Sequence, residues 1–185
     1  FGLYRPGIGQ FSVDLNGNGV NNAVGETFSG WPAGAVEVIG DWNGDGDADL
    51  GTYNIGTGAL SRDLNGDGVF QFGSEQNSFI SPTTAADQPI VGNFSSTNAG
   101  VEVGLYQPST GQFSLDANDS GVVNTGESVF TFPAGGTVVI ADWDGDGIDE
   151  RGTFNSTTGV LWRDQDFAQP GSALLPVQTT FLAGS

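Results

Sequence analysis

Two stretches decide how this chain is read: Asp41-Trp42-Asn43-Gly44-Asp45-Gly46-Asp47-Ala48-Asp49, and its echo Asp142-Trp143-Asp144-Gly145-Asp146-Gly147-Ile148-Asp149-Glu150. Asp41, Asn43, Asp45 and Asp49 stand at positions 1, 3, 5 and 9 of a loop, with Gly46 at position 6. Asp142, Asp144, Asp146 and Glu150 stand the same way, with Gly147 at position 6. Alternate side chains in a tight loop point at a common centre, and glycine permits the sharp turn. Hard cations such as Ca²⁺ take six to eight oxygens, so the pattern predicts a calcium loop. The backbone carbonyl of Asp47 or Ile148, at position 7, is a further expected ligand. Two such loops at equivalent repeat positions argue against chance.

A second set carries the same start. Asp14, Asn16 and Asn18 are followed by Gly19, and Asp63, Asn65 and Asp67 by Gly68, with Val20 and Val69 in the carbonyl position. Glu26 and Glu75 stand twelve residues after the first Asp of each. A weaker version runs Asp116, Asn118, Ser120, Gly121, with Glu127 eleven residues on, the spacing of the final Glu in an EF-hand loop. An Asx-rich turn without an ion is the alternative for these three. Two further loops have lost the pattern: Asn93-Phe94-Ser95-Ser96-Thr97 lacks the acids, and Asp164-Gln165-Asp166 has no glycine at position 6. No tight ion is expected at either.

Working outward, the whole chain repeats. Residues 1–14 match residues 103–116 at an offset of 102, and Gly51-Thr52-Tyr53 through Asp63 echoes Gly2-Leu3-Tyr4 through Asp14. The unit is about 50 residues long, occurs nearly four times, and alternate units resemble each other most. Each unit reads as four short strands separated by turn signals. The expectation is an all-β fold, a β-propeller of about four four-stranded blades, with a β-solenoid or a duplicated sandwich as alternatives. Residues 35–87, 88–136 and 137–178 form one blade each. Residues 1–34 supply strands two to four of a split blade, and residues 179–185 supply its first strand, within one chain or between chains.

Composition bounds the chemistry. The 185 residues carry 22 acids against four arginines, for a formal net charge of −18, with no His, Cys or Met. Such a surface repels phosphate backbones and anionic headgroups, so nucleic acid and membrane insertion are not expected. Without Cys there are no disulfides or thiol catalysis, and without His the usual general base is missing. Lacking any Met, the chain reads as a segment of a longer one. Nineteen of the 22 acids lie in or beside the loops, leaving Glu37, Asp87 and Glu102. Five bound Ca²⁺ ions would move the net charge to about −8, making calcium a structural staple.

The segments Gly40 to Tyr53 and Ala141 to Phe154 resemble the FG-GAP repeats of integrin-type β-propellers, such as those in bacterial secreted and surface proteins. The resemblance covers nearly the whole chain. It implies calcium in the loop between the first two strands of a blade, held here by the Asp41 and Asp142 sets. That family usually closes with seven blades, which points to a small ring, a fragment or assembly between chains.

The leading functional expectation is an extracellular or cell-surface structural or adhesive module, binding several calcium ions and self-assembling into a filament by strand complementation. Its partner would be itself or neighbouring repeats. The alternative is a lectin-like module binding glycans through Trp31 and Trp162. Tyr4, Tyr53 and Tyr106 are further candidates, although their recurrence at second-strand positions also suggests core, and Trp42 and Trp143 read as core. Catalysis is not expected, because almost every acid is committed to a loop. The repeated Arg62-Asp63 and Arg163-Asp164 pairs read as local ion pairs or strand-end hydrogen bonds.

Overall fold

The computed structural model describes residues 2–21, 24–78, 84–122, 129–164 and 177–180. Fifteen short strands are present among them and no helix: β1 (Gly2–Arg5), β2 (Gln10–Val13), β3 (Thr27–Ser29), β4 (Val36–Gly40), β5 (Asp49–Asn54), β6 (Ala59–Arg62), β7 (Gln76–Ser78), β8 (Gln88–Gly92), β9 (Glu102–Gln107), β10 (Gln112–Leu115), β11 (Val129–Thr131), β12 (Thr137–Ala141), β13 (Glu150–Asn155), β14 (Val160–Arg163) and β15 (Val177–Thr180). They form four antiparallel sheets in chain order: β1-β2-β3, β4-β5-β6-β7, β8-β9-β10-β11 and β12-β13-β14-β15.

Local chemistry explains the breaks. The hairpins β1–β2, β5–β6, β9–β10 and β13–β14 are each closed by a glycine in the left-handed region, Gly9, Gly58, Gly111 and Gly159. At Gly9 and Gly111 a Cβ would also lie 1.8 Å from the Trp31 carbonyl oxygen and 1.9 Å from that of Phe132, so no other residue fits. Strands β2, β6, β10 and β14 are each followed by a connection of constant length: residues 14–26, 63–75, 116–128 and 164–176, thirteen in each case.

Consecutive sheets pack face to face, and strand alternation assigns the faces. Tyr4, Phe11, Val13 and Trp31 of the first sheet's side meet Leu50 of the second. The opposite face of the second sheet, with Val38, Tyr53 and Leu60, and Trp42 from its loop, meets Val91, Val103 and Leu105 of the third. The opposite face of the third, with Ile90, Tyr106, Phe113 and Leu115, meets Val138, Ile140 and Trp162 of the fourth. The aromatic packing repeats with the 102-residue offset. Tyr4 and Phe11 are 4.5 Å apart and Tyr106 and Phe113 4.7 Å, while Phe11 meets Trp31, and Phe113 meets Phe132, edge-on. The first strand β8 lies beside both β4 and β12. None of the three clusters joins the fourth sheet to the first.

The C-terminal segment is described only in part. Thr179 and Thr180, assigned from sequence to the first strand of a split blade, lie on β15, paired with β14 in the register Leu161↔Thr179 and Val160↔Thr180. Residues 181–185 fall outside the described residues. The reason is the constant thirteen-residue connection, which delivers 177–180 to the edge of β14 as it delivers Gln76–Ser78 to β6. Among the described residues the first sheet has three strands, with β1 at its edge.

The arginines also pair differently from the local reading. Arg62 Nη1 reaches across to Asp119 Oδ1 at 2.6 Å, linking the second and third sheets. Arg151 Nη2 donates to Asp164 Oδ2 at 2.9 Å, with both side chains fully buried. Arg62 and Arg163 lie at equivalent places over the Trp42 and Trp143 rings, 5.8 and 5.6 Å from the centroids.

Candidate metal centre

The five acidic loops share one backbone frame. In each, the first Asp accepts the N–H of position 6 on Oδ2: Gly19 to Asp14 (2.8 Å), Gly46 to Asp41 (2.9 Å), Gly68 to Asp63 (2.6 Å), Gly121 to Asp116 (2.7 Å) and Gly147 to Asp142 (3.0 Å). The side-chain oxygen at position 3 accepts the N–H of position 5. Asn16 does so for Asn18, Asn43 for Asp45, Asn65 for Asp67, Asn118 for Ser120 and Asp144 for Asp146. In four loops position 5 then holds the N–H of position 7, so that Asn18, Asp45, Asp67 and Asp146 fix Val20, Asp47, Val69 and Ile148. These Asx turns fold each loop inward around its own oxygens. Position 4 needs positive φ and is Gly17, Gly44, Gly66 or Gly145, but in the fifth loop it is Asp119, at φ 52°.

The loops differ in what closes them. Among the described residues, one set of carboxylates converges: an oxygen from each of Asp142, Asp144, Asp146 and Glu150 lies within 4.8 Å of the others. The three Asp are exposed and Glu150 is buried. These four residues could hold a metal ion. Glu150 Oε2 accepts the Trp143 N–H at 2.7 Å, while Glu150 Oε1 is buried with no hydrogen-bond partner. Burial raises the Glu150 pKa, with Asp144, Asp142 and Asp146 adding to it and the Trp143 N–H opposing. A buried carboxylate oxygen left without a partner is costly unless a cation faces it. In loop 41–49 the shorter Asp49 takes this place, accepting the Trp42 N–H at 3.2 Å, and burial likewise raises its pKa.

The third sheet supplies an internal control. Glu102 opens β9 as Glu150 opens β13, and its Oε2 accepts the Phe94 N–H at 2.6 Å. Its Oε1, however, receives the Asn98 side-chain N–H at 2.6 Å. Where the acids of the loop are lost, an amide donor fills the position that Glu150 leaves open. Sequence reading had set Glu102 apart from the loops; its signal was its place at the start of a second strand. The 93–101 loop also stitches its neighbours together. The Asp149 N–H donates to the Asn93 carbonyl at 2.7 Å, the Asn93 N–H to Asp149 Oδ2 at 2.7 Å, and the Val101 N–H to the Asp41 carbonyl at 2.9 Å. At the other loop without an expected ion, Asp164 meets the buried Arg151 guanidinium, a cation built into the chain. Asp166 lies outside the described residues.

In the second set, Asp63 and Asp116 are buried. Glu75 is buried and spends both oxygens on the loop backbone, accepting the Leu64 N–H at 3.2 Å and the Gln71 N–H at 2.6 Å. Here it acts as a brace closing the thirteen-residue connection. Glu26 is buried at the matching place, and Glu127 lies outside the described residues.

The aromatic candidates are less accessible than the glycan expectation requires. Trp31 is 3% exposed inside the first cluster, and its Nε1–H donates to the Gly68 carbonyl at 3.2 Å, so it offers no open ring face. Trp162 is half-buried against the third sheet and lines a cleft of about 200 Å³ with Pro133, Thr153, Asn155 and Thr158. Tyr53 and Tyr106 are fully buried and Tyr4 nearly so, in the core roles that their recurrence suggests.

Compared with known proteins, the chain matches no family model, no curated protein and no solved structure.

Proposed function

We propose that this chain is a calcium-stabilised structural or adhesive module of extracellular or cell-surface location, built as β-propeller-type repeats of the FG-GAP kind. The observation that carries the reading is the pairing of Glu150 with Glu102. Glu150, a member of the carboxylate cluster, has its Oε1 buried with no donor, whereas Glu102 Oε1 in the acid-poor loop has one. Calcium is favoured over softer metals because every candidate ligand is oxygen. Extracellular modules of this sort bind calcium with Kd of about 10⁻⁴–10⁻³ M, and binding to the folded state alone adds stability. The face-to-face stacking of sheets in chain order and the proximity of β8 to both β4 and β12 support the propeller geometry. No catalytic role is assigned.

The test is calorimetric titration with CaCl₂, and with MgCl₂ for comparison, on the native chain and on Glu150→Gln and Asp142→Asn variants. Loss of one binding event in each variant, with far-ultraviolet spectra unchanged, is the expected result. Unaltered stoichiometry in both variants would remove the Asp142 loop from the site list. A second reading, glycan binding, draws on the Trp162 cleft alone. Glycan-array signal lost in Trp162→Ala would establish it.

A further inference from the structure

Among the described residues, the first sheet has no counterpart of the first strand found in the other three. In those three, the position beside the second strand is filled by Val36–Gly40, Gln88–Gly92 and Thr137–Ala141, which pair with β5, β9 and β13. In the first sheet β1 is the edge, and no described strand lies beside it. The neighbouring surface records the gap. Val91 and Ile140 stand at equivalent places on β8 and β12, and each packs into the cluster formed with the preceding sheet. Ile39 holds the same place on β4, where the preceding sheet has no described first strand, and it is 45% exposed. An unpaired backbone edge beside an uncovered apolar side chain is a template for strand addition.

The three resident strands define the occupant. Each carries apolar residues at its third and fourth positions, Val38-Ile39, Ile90-Val91 and Val139-Ile140, and then ends on a small residue, Gly40, Gly92 or Ala141. The small residue is required by contact: a Cβ on Gly92 would lie 2.8 Å from the Phe94 ring and 2.9 Å from Ile140 Cγ2, and one on Gly40 2.5 Å from Val101 Cγ2. Ile39 is the residue that would meet the small residue of an incoming strand, as Ile140 meets Gly92.

We propose that the groove between the β1 edge and Ile39 is a strand-acceptor site, which takes one extended peptide segment with two adjacent apolar residues followed by Gly or Ala, antiparallel to β1. The proposal deepens the structural reading above and rests on it, since it names the kind of partner through which such a module joins its neighbours.

The probe is a synthetic peptide of residues 86–93, because the third sheet repeats the first most closely. It is added to the full chain in calcium and again in chelator. Expected are saturable one-to-one binding by fluorescence anisotropy, slowed amide exchange confined to Gly2–Arg5 and β4, and at least tenfold weaker binding to Ile39→Lys. Thr157→Lys, at an exposed residue in the turn between β13 and β14, should leave binding unchanged. A second form, with the same segment tethered ahead of Gly2 by a Gly/Ser linker, supplies a millimolar effective concentration if the free peptide binds weakly. Absence of added protection at β1 in the tethered form, or equal binding of a scrambled peptide, would overturn the proposal. A chain that binds the peptide but not calcium would retain the acceptor site and lose the metal reading; the reverse result would do the opposite.

Discussion

Glu102 and Glu150 occupy one place in two repeats, and their different surroundings make residue-scale predictions possible. Burial pushes the Glu102 pKa up to about 7, against the lowering effect of the Asn98 and Phe94 donors. The folded state then keeps a proton that the unfolded chain releases near the ordinary value of 4.5. Stability from this group is therefore complete below about pH 4.5 and declines as pH rises through about 7. Urea denaturation at pH 5 and pH 8 should show a loss on the order of 1–3 kcal/mol from this residue, and Glu102→Gln should flatten that part of the profile. Asp164 gives a second prediction. It is the described acid that meets the buried Arg151, whose pKa burial draws down to about 10 while Asp164 holds it up. Asp164→Ala leaves a buried guanidinium without that partner and should cost about 3–5 kcal/mol, read as a lowered urea midpoint at unchanged slope.

At the scale of the element, β4 and β8 end in glycine because an aromatic ring from the following loop folds back over them. A Cβ on Gly40 would lie 3.0 Å from the Trp42 ring as well as 2.5 Å from Val101. Gly92→Val should therefore destabilise the chain by about 1–3 kcal/mol through overpacking, measured as a lower midpoint in thermal unfolding. The same change at Gly46, where a Cβ meets nothing but φ is 95°, should cost backbone strain and weaken calcium binding without disturbing the sheet interface. Comparing the two variants separates strand packing from loop geometry. The loops are also linked across sheets, since the 93–101 loop bonds to both the Asp41 and the Asp142 loops.

For the whole molecule, the decisive quantity is a net charge of −18 concentrated in loops that hold one another together. Without cations the clustered carboxylates repel, so chelation should lower the thermal midpoint, and readdition of calcium should restore it. Calcium at about a hundred times its Kd should add about 2.7 kcal/mol per site. Sodium chloride at matched ionic strength should recover only part of that loss, because screening does not replace coordination.

The repeat period, the all-β class and the short antiparallel strands were legible in the sequence, since turn glycines and alternating apolar residues are local signals and the repeat multiplied them. The frame of the loops was legible too, because Asx turns are set by residues two to five apart. Long-range pairing was not. Thr179 resembled a first strand in composition, but its partner is decided by a thirteen-residue connection and by the open edge of β14. The burial of Trp31, the Arg62–Asp119 and Arg151–Asp164 pairs and the matching of Asn98 to Glu102 were equally silent. The sequence by itself determined which oxygens could surround a cation. Only the tertiary structure decided which buried carboxylate oxygen already has a donor, because the Asn98 amide reaches Glu102 by the folding of its own loop and a built-in cation reaches Asp164 from a neighbouring strand.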